Sequence, residues 1–375
     1  MKSITILLLH MQHGGIEKQT ITLANELCKK YKVNIISTYS MNKKPAYSIN
    51  SNIQIKYLMN DRPNKQEFKS ALHSKNIIEI LKQGLKAIKI LYLKKKLMIR
   101  EIKKINTDFV LSTRIDFANM LSKYAPKNVI KITQEHLHDD SKKYVKQIKK
   151  AFRNLDYLVV LCSGSEKNYK MWLEENKKIK IVKIANILED IPNSEAKLEK
   201  NKLVAVGRLH PVKDFQTLIR VFNIVNKSIP ESTLTIIGDG EERNNLTKLV
   251  KELKLESKIN FTGMIPKEYV TKEMLESDLY VMTSKTECFP MVLLEAESCG
   301  LPIVAFDVPV GPREIIENDI NGYLIKDQEI DEMASKILEL LKNREKLTTF
   351  GKISKQKSYN YVAKKIMPCW YEIFD

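Results

Sequence analysis

Two glutamates separated by seven residues carry the strongest chemical signal in the sequence. Glu287 follows a predicted strand, and Glu295 lies in the second turn of the helix that Pro290 begins. One carboxylate therefore comes from a loop and the other from a helix, so both can line one cleft. Carboxylates accept paired hydrogen bonds from vicinal hydroxyls, which sugars and riboses carry. The free N–H groups of Met291 and Val292 add an edge that binds an anion or a hydroxyl.

A second group of residues has the chemistry of a phosphate site. Gly207, Arg208 and Lys213 follow another predicted strand. The glycine allows close approach of the backbone, and the two cations stand at a helix N-terminus, which suits a diphosphate. A solvated surface lysine is the alternative interpretation of Lys213. His210, in the same run, is interpreted as a loop residue and not as a base.

Glycines follow two further predicted strands. Gly14 and Gly15 stand between the first strand and a helix, where backbone amides can approach a phosphate or a sugar. Gly238 and Gly240 flank an aspartate after a strand in the second half, and there a tight strand-to-helix turn is favoured. Neither run is the G-x-G-x-x-G pattern of dinucleotide-binding proteins.

Short apolar runs alternate with helical patterns along both halves of the chain, which indicates parallel sheets covered on both faces. The polar stretch 190–201 interrupts the alternation. We therefore predict domains at 1–189 and 202–355, a linker at 190–201 and a terminal helix at 356–375, with the ligand in a cleft at the carboxyl ends of the strands. The predicted strands are Ile4–Leu9, Val33–Ser37, Phe109–Ser112, Val129–Thr133, Tyr157–Cys162, Leu203–Val206, Leu234–Ile237, Ile259–Phe261, Leu279–Met282 and Ile303–Phe306.

The composition limits the class of protein. The chain has 375 residues, 43% of them hydrophobic, and a net charge of +18, which excludes wholesale disorder. A field of this sign attracts nucleic acid, anionic lipid and phosphorylated small molecules. No apolar run reaches the length of a membrane-spanning helix. The five cysteines form no C-x-x-C pair, so neither a disulfide framework nor a zinc site is predicted, and a reducing cytoplasm fits.

Half of the net charge lies in the segment 65–104, which has eleven lysines and one arginine against three glutamates. Lysines lie between apolar residues that recur at helical spacing, a basic amphipathic pattern. The functional interpretation is contact with anionic lipid or with a lipid-linked anionic acceptor. The alternative is a core-packed helix with a solvated lysine face. The apolar positions are Ile77, Ile78, Leu81, Leu85, Ile88, Leu91 and Tyr92.

Together these residues resemble the family 4 glycosyltransferases, whose α/β fold is GT-B, two doubly wound Rossmann-like domains facing across a cleft. The resemblance covers most of the chain and is strongest over 203–325. Glu287 and Glu295 match the E-x7-E element, and residues 207–213 match G-R-L-x-x-x-K. The runs 287–302 and 311–316 are similar to the subgroup that builds capsular, O-antigen and other lipid-linked bacterial glycans.

The resemblance implies a role for each matched residue. Arg208 and Lys213 would neutralise the diphosphate of the donor. Glu287 would hold hydroxyls of the donor sugar as a positioning residue and not as a covalent nucleophile, and Glu295 would hold the ribose. The other implied donor-binding positions are Gly14, Gly15, Gly207, Gly238, Gly263, Met264, Phe289, Pro290, Met291 and Val292.

A histidine and the chain terminus also match places in the family. His136 follows a predicted strand and would contact the donor sugar near the reacting carbon, with His138 as its rival and a plain loop histidine as the alternative. The helical pattern over 359–371 matches the terminal helix that in this fold crosses back to the first domain. The alternative is a helix packed on the second domain. Cys288 departs from the family, where a small glycine is common.

The resemblance further implies a retaining, metal-independent transfer that needs no cofactor. The donor would be a nucleotide sugar, with UDP favoured by its frequency in the family. The acceptor would be a lipid-linked glycan or an oligosaccharide. From the basic segment 65–104 we expect the protein to lie in the cytoplasm, peripherally on the inner face of a bacterial cell membrane. No nucleic-acid motif is found. A nucleotide-sugar 2-epimerase and a non-catalytic binder of anionic ligands are the alternatives.

Overall fold

A computed structural model describes residues 1–60 and 62–375 and divides the chain into two compact units. Unit 1 consists of residues 1–160, 168–183 and 370–375. Unit 2 consists of residues 161–167 and 184–369. The stretch 190–201, expected to be a linker, has no helix or strand and belongs to unit 2, where the Ala196 amide donates to the Cys299 carbonyl at 2.9 Å.

Unit 1 contains a seven-stranded sheet in which every neighbouring pair is parallel. The strand order is β3-β2-β1-β4-β5-β6-β7. The strands are β1 Ser3–Leu8, β2 Lys32–Tyr39, β3 Gln54–Met59, β4 Phe109–Ser112, β5 Ile130–Gln134, β6 Tyr157–Val160 and β7 Lys180–Lys183. The helices up to the end of this sheet are α1 Gly15–Leu27, α2 Lys65–Ser74, α3 Ile77–Ile102, α4 Ile115–Tyr124, α5 Lys142–Ala151 and α6 Ser163–Trp172.

Unit 2 contains a six-stranded parallel sheet in the order β10-β9-β8-β11-β12-β13. Its strands are β8 Lys202–Val206, β9 Thr233–Ile237, β10 Ile259–Gly263, β11 Leu279–Met282, β12 Ile303–Asp307 and β13 Gly322–Lys326. The remaining helices are α7 Phe215–Ser228, α8 Arg243–Glu252, α9 Lys267–Leu275, α10 Met291–Ser298, α11 Pro312–Ile315, α12 Ile330–Lys342, α13 Arg344–Ser358 and α14 Ala363–Phe374, with 3-10 turns at Pro211–Lys213 and Tyr359–Tyr361.

Each sheet reverses its strand order once. The reversal lies between β1 and β4 in unit 1 and between β8 and β11 in unit 2. The loops on either side of such a point leave in opposite directions and open a crevice at the carboxyl ends of the strands. The predicted pair of doubly wound parallel sheets is therefore confirmed, and each sheet has one place where a ligand site is expected.

The sequence analysis missed three strands, and all three lie at sheet edges. They are β3, β7 and β13. An edge strand pairs on one side only and buries fewer side chains, so its apolar run is short or broken. In β3 four of six residues are exposed, and in β7 none is fully buried. In β13 three of five residues are buried, but its apolar run covers only residues 323–325. Interior strands such as β11, with all four residues buried, have the continuous apolar runs that made them predictable.

The last six residues of the chain belong to unit 1, although α14 begins in unit 2. Phe374 is fully buried, with its ring centroid 5.0 Å from that of Phe109 and 5.8 Å from that of Trp370. The Asp375 carboxylate accepts hydrogen bonds from the Tyr31 hydroxyl at 2.6 Å and from the Lys30 ammonium at 2.7 Å. The end of the helix is thus an integral part of the unit 1 core, as the resemblance implies.

We predict that Phe374→Ala destabilises the protein by about 3–5 kcal/mol, because it leaves a cavity where a fully buried aromatic ring had packed. Urea unfolding followed by circular dichroism measures the change. Glu372→Ala, an exposed position on the same helix, is the matched control and should change stability by no more than about 0.5 kcal/mol. Equal midpoints for the two variants would contradict the prediction.

Candidate functional site

The turn after β8 forms one side of the crevice in unit 2. It ends in the 3-10 turn Pro211–Lys213, which the His210 ring caps by accepting from the Val212 amide at 3.2 Å. His210 is therefore used in the turn itself, in agreement with its interpretation as a loop residue. The aliphatic chain of Lys213 passes over Gly207, 3.6 Å from the place that a Cβ on the glycine would occupy.

The loop after β11 is fastened to this turn by hydrogen bonds. The Thr283 hydroxyl contacts the carbonyls of Lys213 and Asp214 at 3.2 and 3.0 Å. The Lys285 amide donates to the Val212 carbonyl at 2.8 Å. Since β8 and β11 flank the reversal of strand order, these bonds hold the two sides of the crevice in one fixed relation.

The consequence is an ion pair across the crevice, in which the Lys213 ammonium donates to Glu287 Oε1. The Glu287 side chain is only 12% exposed and that of Lys213 26%, so the pair is largely shielded from water. Burial raises the pKa of Tyr280 in the neighbouring strand, and the charges of Glu287 and Glu295 act in the same direction. Both predicted carboxylates therefore lie near one buried phenol, on one side of the unit.

The start of α10 is packed rigidly beside this pair. Pro290 is its N-cap, and Gly311 approaches so closely that a Cβ there would lie 2.6 Å from Pro290 Cδ. Phe289 is buried, with its ring 5.9 Å from that of Tyr361, so it contributes packing as well as backbone. The first amides of a helix have no partner within the helix, which leaves the N–H groups at 291 and 292 available to an anion.

Glycines bring the ends of three adjacent strands together. Gly238 has a φ of 136° and donates its amide to the Gly263 carbonyl at 2.9 Å. A Cβ at Gly238 would lie 2.0 Å from the Gly207 carbonyl oxygen, so no other residue fits there without a shift of the backbone. Arg208 and Met264 are exposed beside this edge. The predicted glycines thus form an open backbone surface next to one cation.

Unit 1 has a second cluster at its own reversal point. The Glu17 carboxylate folds back over Gly14, where a Cβ would lie 2.2 Å from Glu17 Oε2. Glu17 Oε1 accepts from Arg114 Nη2 at 2.9 Å and lies 3.8 Å from His10 Nε2. The sequence analysis missed Glu17, Arg114 and His10. The available signal was that Arg114 follows the predicted strand 109–112 by two residues.

His136 lies at the end of the next strand with an unused ring nitrogen. Its Nε2 is buried and has no hydrogen-bond partner among the described residues, and the same holds for His138 Nδ1. Burial lowers the pKa of His136 to about 4, and the charge of Arg114 adds to the effect. The backbone at 136 is held by the buried Glu135, whose carboxylate accepts the His136 amide at 3.0 Å and the Tyr144 hydroxyl at 2.7 Å. His136 is therefore a neutral imidazole at physiological pH.

Within residues 1–60 and 62–375, no group of three or more His, Cys, Asp or Glu side chains could hold a metal ion. The positive charge at the unit 2 crevice comes from Lys213 and the exposed Arg208.

We predict that the depressed pKa of His136 makes the protein less stable as the pH falls from about 6.5 to about 4. In this interval the unfolded chain binds a proton that the folded chain excludes. In His136→Asn the free energy of unfolding that is lost over this pH interval should be smaller by up to about 3 kcal/mol. Thermal unfolding midpoints measured at pH 7, 6, 5 and 4 test this, with the exposed His73→Asn as control. A pH profile of His136→Asn that matches that of the control would contradict the assignment.

The sequence is similar to one family model and to several known proteins. Residues 186–357 match the family model described as "Glycosyl transferases group 1". An uncharacterized glycosyltransferase of Haemophilus influenzae is 30% identical over 364 residues, covering 95% of each chain. An amylovoran biosynthesis glycosyltransferase of Erwinia amylovora is 32% identical over 177 residues, covering 47% of this chain and 49% of the relative.

A solved structure shows the same fold. A mutant of S. aureus TarM in complex with fondaparinux, α-GlcNAc-glycerol and UDP superimposes with a TM-score of 0.78 at 18% identity, and the match covers 100% of each chain. The GT-B fold expected from the sequence is therefore confirmed. The family model covers all of the unit 2 crevice, including Lys213 and Glu287.

Proposed function

Because the chain belongs to the glycosyl transferases group 1 family, we propose that it transfers a hexosyl or N-acetylhexosaminyl group from a UDP-sugar to a growing glycan, with retention of the anomeric configuration. The observation that carries the proposal is the Lys213–Glu287 pair at the reversal point of unit 2. It offers a cation to a diphosphate and a carboxylate to sugar hydroxyls within one rigid loop pair. The TarM structure holds UDP and α-GlcNAc-glycerol, which supports the choice of donor and of stereochemistry.

The donor diphosphate is assigned to Lys213, Arg208 and the amides at the start of α10. As the glycosidic bond breaks, negative charge grows on the leaving diphosphate. Fixed cations and a helix N-terminus stabilise that charge more in the transition state than in the ground state. These groups do the work that a divalent metal does in other transferases, so the proposed reaction is metal-independent and needs no cofactor. Glu295 is assigned to the ribose hydroxyls.

Retention follows if the acceptor hydroxyl attacks from the side that the diphosphate leaves. The bond from the anomeric carbon to the phosphate oxygen breaks with its electron pair going to UDP. The acceptor oxygen forms the new bond, and its proton passes to the departing phosphate. Glu287 positions the sugar in this scheme, because a carboxylate bound to the Lys213 ammonium is a weakened nucleophile. In unit 1, the neutral His136 and the backbone of Gly14 and Gly15 are assigned to the donor sugar and phosphate.

The acceptor is assigned to the class of lipid-linked glycans, which places the enzyme peripherally on the cytoplasmic face of a bacterial membrane. The Erwinia relative, named for amylovoran biosynthesis, supports a role in polysaccharide synthesis, with capsular polymers as the class. The basic segment 65–104 supports the membrane location. An epimerase would need the donor site but neither an acceptor nor this segment.

We predict that UDP stabilises the protein and that Arg208→Ala abolishes the effect. A nucleotide at about 100 times its dissociation constant adds roughly 2.7 kcal/mol, which is several degrees in the unfolding midpoint. Thermal shifts with UDP, GDP, ADP and CMP measure it. Arg220→Ala, an exposed arginine on α7, is the matched control and should keep the full shift. A UDP shift that survives in Arg208→Ala would remove Arg208 from the donor site.

We further predict that Glu287 forms no covalent glycosyl intermediate. Intact-mass spectrometry of the protein incubated with UDP-glucose or UDP-GlcNAc should show no added sugar, in the native chain and in Glu295→Gln alike. An adduct that maps to a peptide containing Glu287 would replace the proposed single displacement with a double displacement.

A further inference from the structure

The helix α3 exposes an apolar surface that no other described part of the chain covers. Its buried apolar residues are Ile90, Met98 and Ile102. Over residues 77–92, towards the N-terminal end of the helix, every apolar position that the sequence pattern singled out is between 60% and 79% exposed, which rules out the core-packed alternative for these positions. We call this set the apolar stripe; its members are Ile77, Ile78, Leu81, Leu85, Ile88, Leu91 and Tyr92.

The stripe is broad and is bordered by cations. At 100° per residue its members span an arc of about 140°, which is typical of a helix face and not of scattered exposure. Only two carboxylates lie on α3. Glu101 is buried and paired with Lys56, and Glu79 accepts from Gln83 at 2.7 Å with Lys82 close by. The exposed lysines of the helix are Lys82, Lys86, Lys89, Lys95 and Lys96.

A contact within unit 1 shows where the stripe lies. Lys94 Nζ is 2.6 Å from Asp116, in the first turn of α4, just after the carboxyl end of β4. A helix that leads into a parallel strand runs antiparallel to it, so residues 77–89, which precede the buried Ile90, extend about 20 Å past that edge of the sheet. Arg114 and His136 lie at the same edge. The stripe therefore projects on the side of unit 1 that carries its candidate site.

We infer that α3 docks on an anionic lipid bilayer, with the apolar stripe at the boundary of headgroups and acyl chains and the lysines on lipid phosphates. The broad apolar face suits the acyl chains of such a bilayer, and the lysines beside it suit the phosphates of the headgroups. A second copy of the chain would instead bring like-charged lysines together. Among the described residues, none of the helices combines the length and the apolarity that a membrane span requires.

Docking deepens the proposed function, because it brings the unit 1 site to the surface where a lipid-linked acceptor is held. The part concerning the acceptor rests on the proposed transferase activity, whereas binding of α3 to lipid does not. The two can therefore fail separately, and vesicle binding is measured without donor or acceptor.

The experiment is co-flotation of the full chain with vesicles of phosphatidylcholine containing 30% phosphatidylglycerol, and with pure phosphatidylcholine. Binding should be strong with the anionic vesicles and should weaken between 0.05 and 0.5 M salt as the screening length falls. Lys82→Gln/Lys86→Gln/Lys89→Gln should weaken it about a hundredfold. The matched control Lys227→Gln/Lys248→Gln/Lys251→Gln removes the same charge from exposed positions in unit 2 and should retain binding within a few-fold.

A second pair of variants separates insertion from charge attraction. Leu85→Gln/Ile88→Gln removes two exposed members of the stripe and should weaken binding about tenfold at constant charge. Met171→Gln/Tyr269→Gln, at similarly exposed apolar positions elsewhere, should bind like the native chain. Because these side chains are exposed, unfolding midpoints should stay unchanged.

Three results would overturn the inference. They are absence of flotation with anionic vesicles, equal binding by the stripe variant and its control, and a dimer in light scattering that Leu85→Gln/Ile88→Gln converts to a monomer. The last would identify the stripe as a contact between copies. Stabilisation by UDP, measured on the same variants, reports on the donor site independently, so loss of lipid binding with an intact UDP shift contradicts docking alone.

Discussion

The hydrogen bonds that fasten the loop after β11 to the turn after β8 are the constraint on which the unit 2 site depends. The Thr283 hydroxyl and the Lys285 amide bond to main-chain carbonyls of residues 212–214. Both loops leave the sheet on either side of its reversal point and would otherwise diverge. Joined in this way, they hold Lys213 and Glu287 at a fixed separation before any ligand binds, so that little ordering is left for the moment of reaction.

The two units use the same arrangement with the charges exchanged. In unit 2 the turn after β8 supplies the cation, Lys213. The loop after β11, on the other side of the reversal of strand order, supplies the carboxylate, Glu287. In unit 1 the helix after β1 supplies the carboxylate Glu17 and the segment after β4 supplies Arg114. In both cases a glycine between the strand and the next helix leaves room for the charged side chain to fold over it, Lys213 over Gly207 and Glu17 over Gly14. Desolvation of the neighbouring His136 ring and the charge of Arg114 both lower the pKa of this histidine, so it stays neutral.

The basic helix α3 shows how one element serves two environments. Its C-terminal half is held in unit 1 by Met98 and Ile102, while its N-terminal half extends past the sheet with its apolar side chains in water. Leaving so much apolar surface exposed costs free energy that a soluble domain normally avoids. Polar substitutions there would remove that cost without touching the core, so the presence of the stripe favours a function at a surface outside the folded chain.

The sequence by itself determined the alternation of strands and helices, both doubly wound sheets and the residues at the strand ends, because these depend on local apolar runs and on glycines beside charged residues. It missed the edge strands β3, β7 and β13, whose burial depends on a single neighbour. Only the tertiary structure decided that Lys213 pairs with Glu287, that Arg114 joins Glu17, and that the α3 stripe faces outward. Each of these is a relation between segments far apart in the chain, which strand order and packing create and which no local pattern contains.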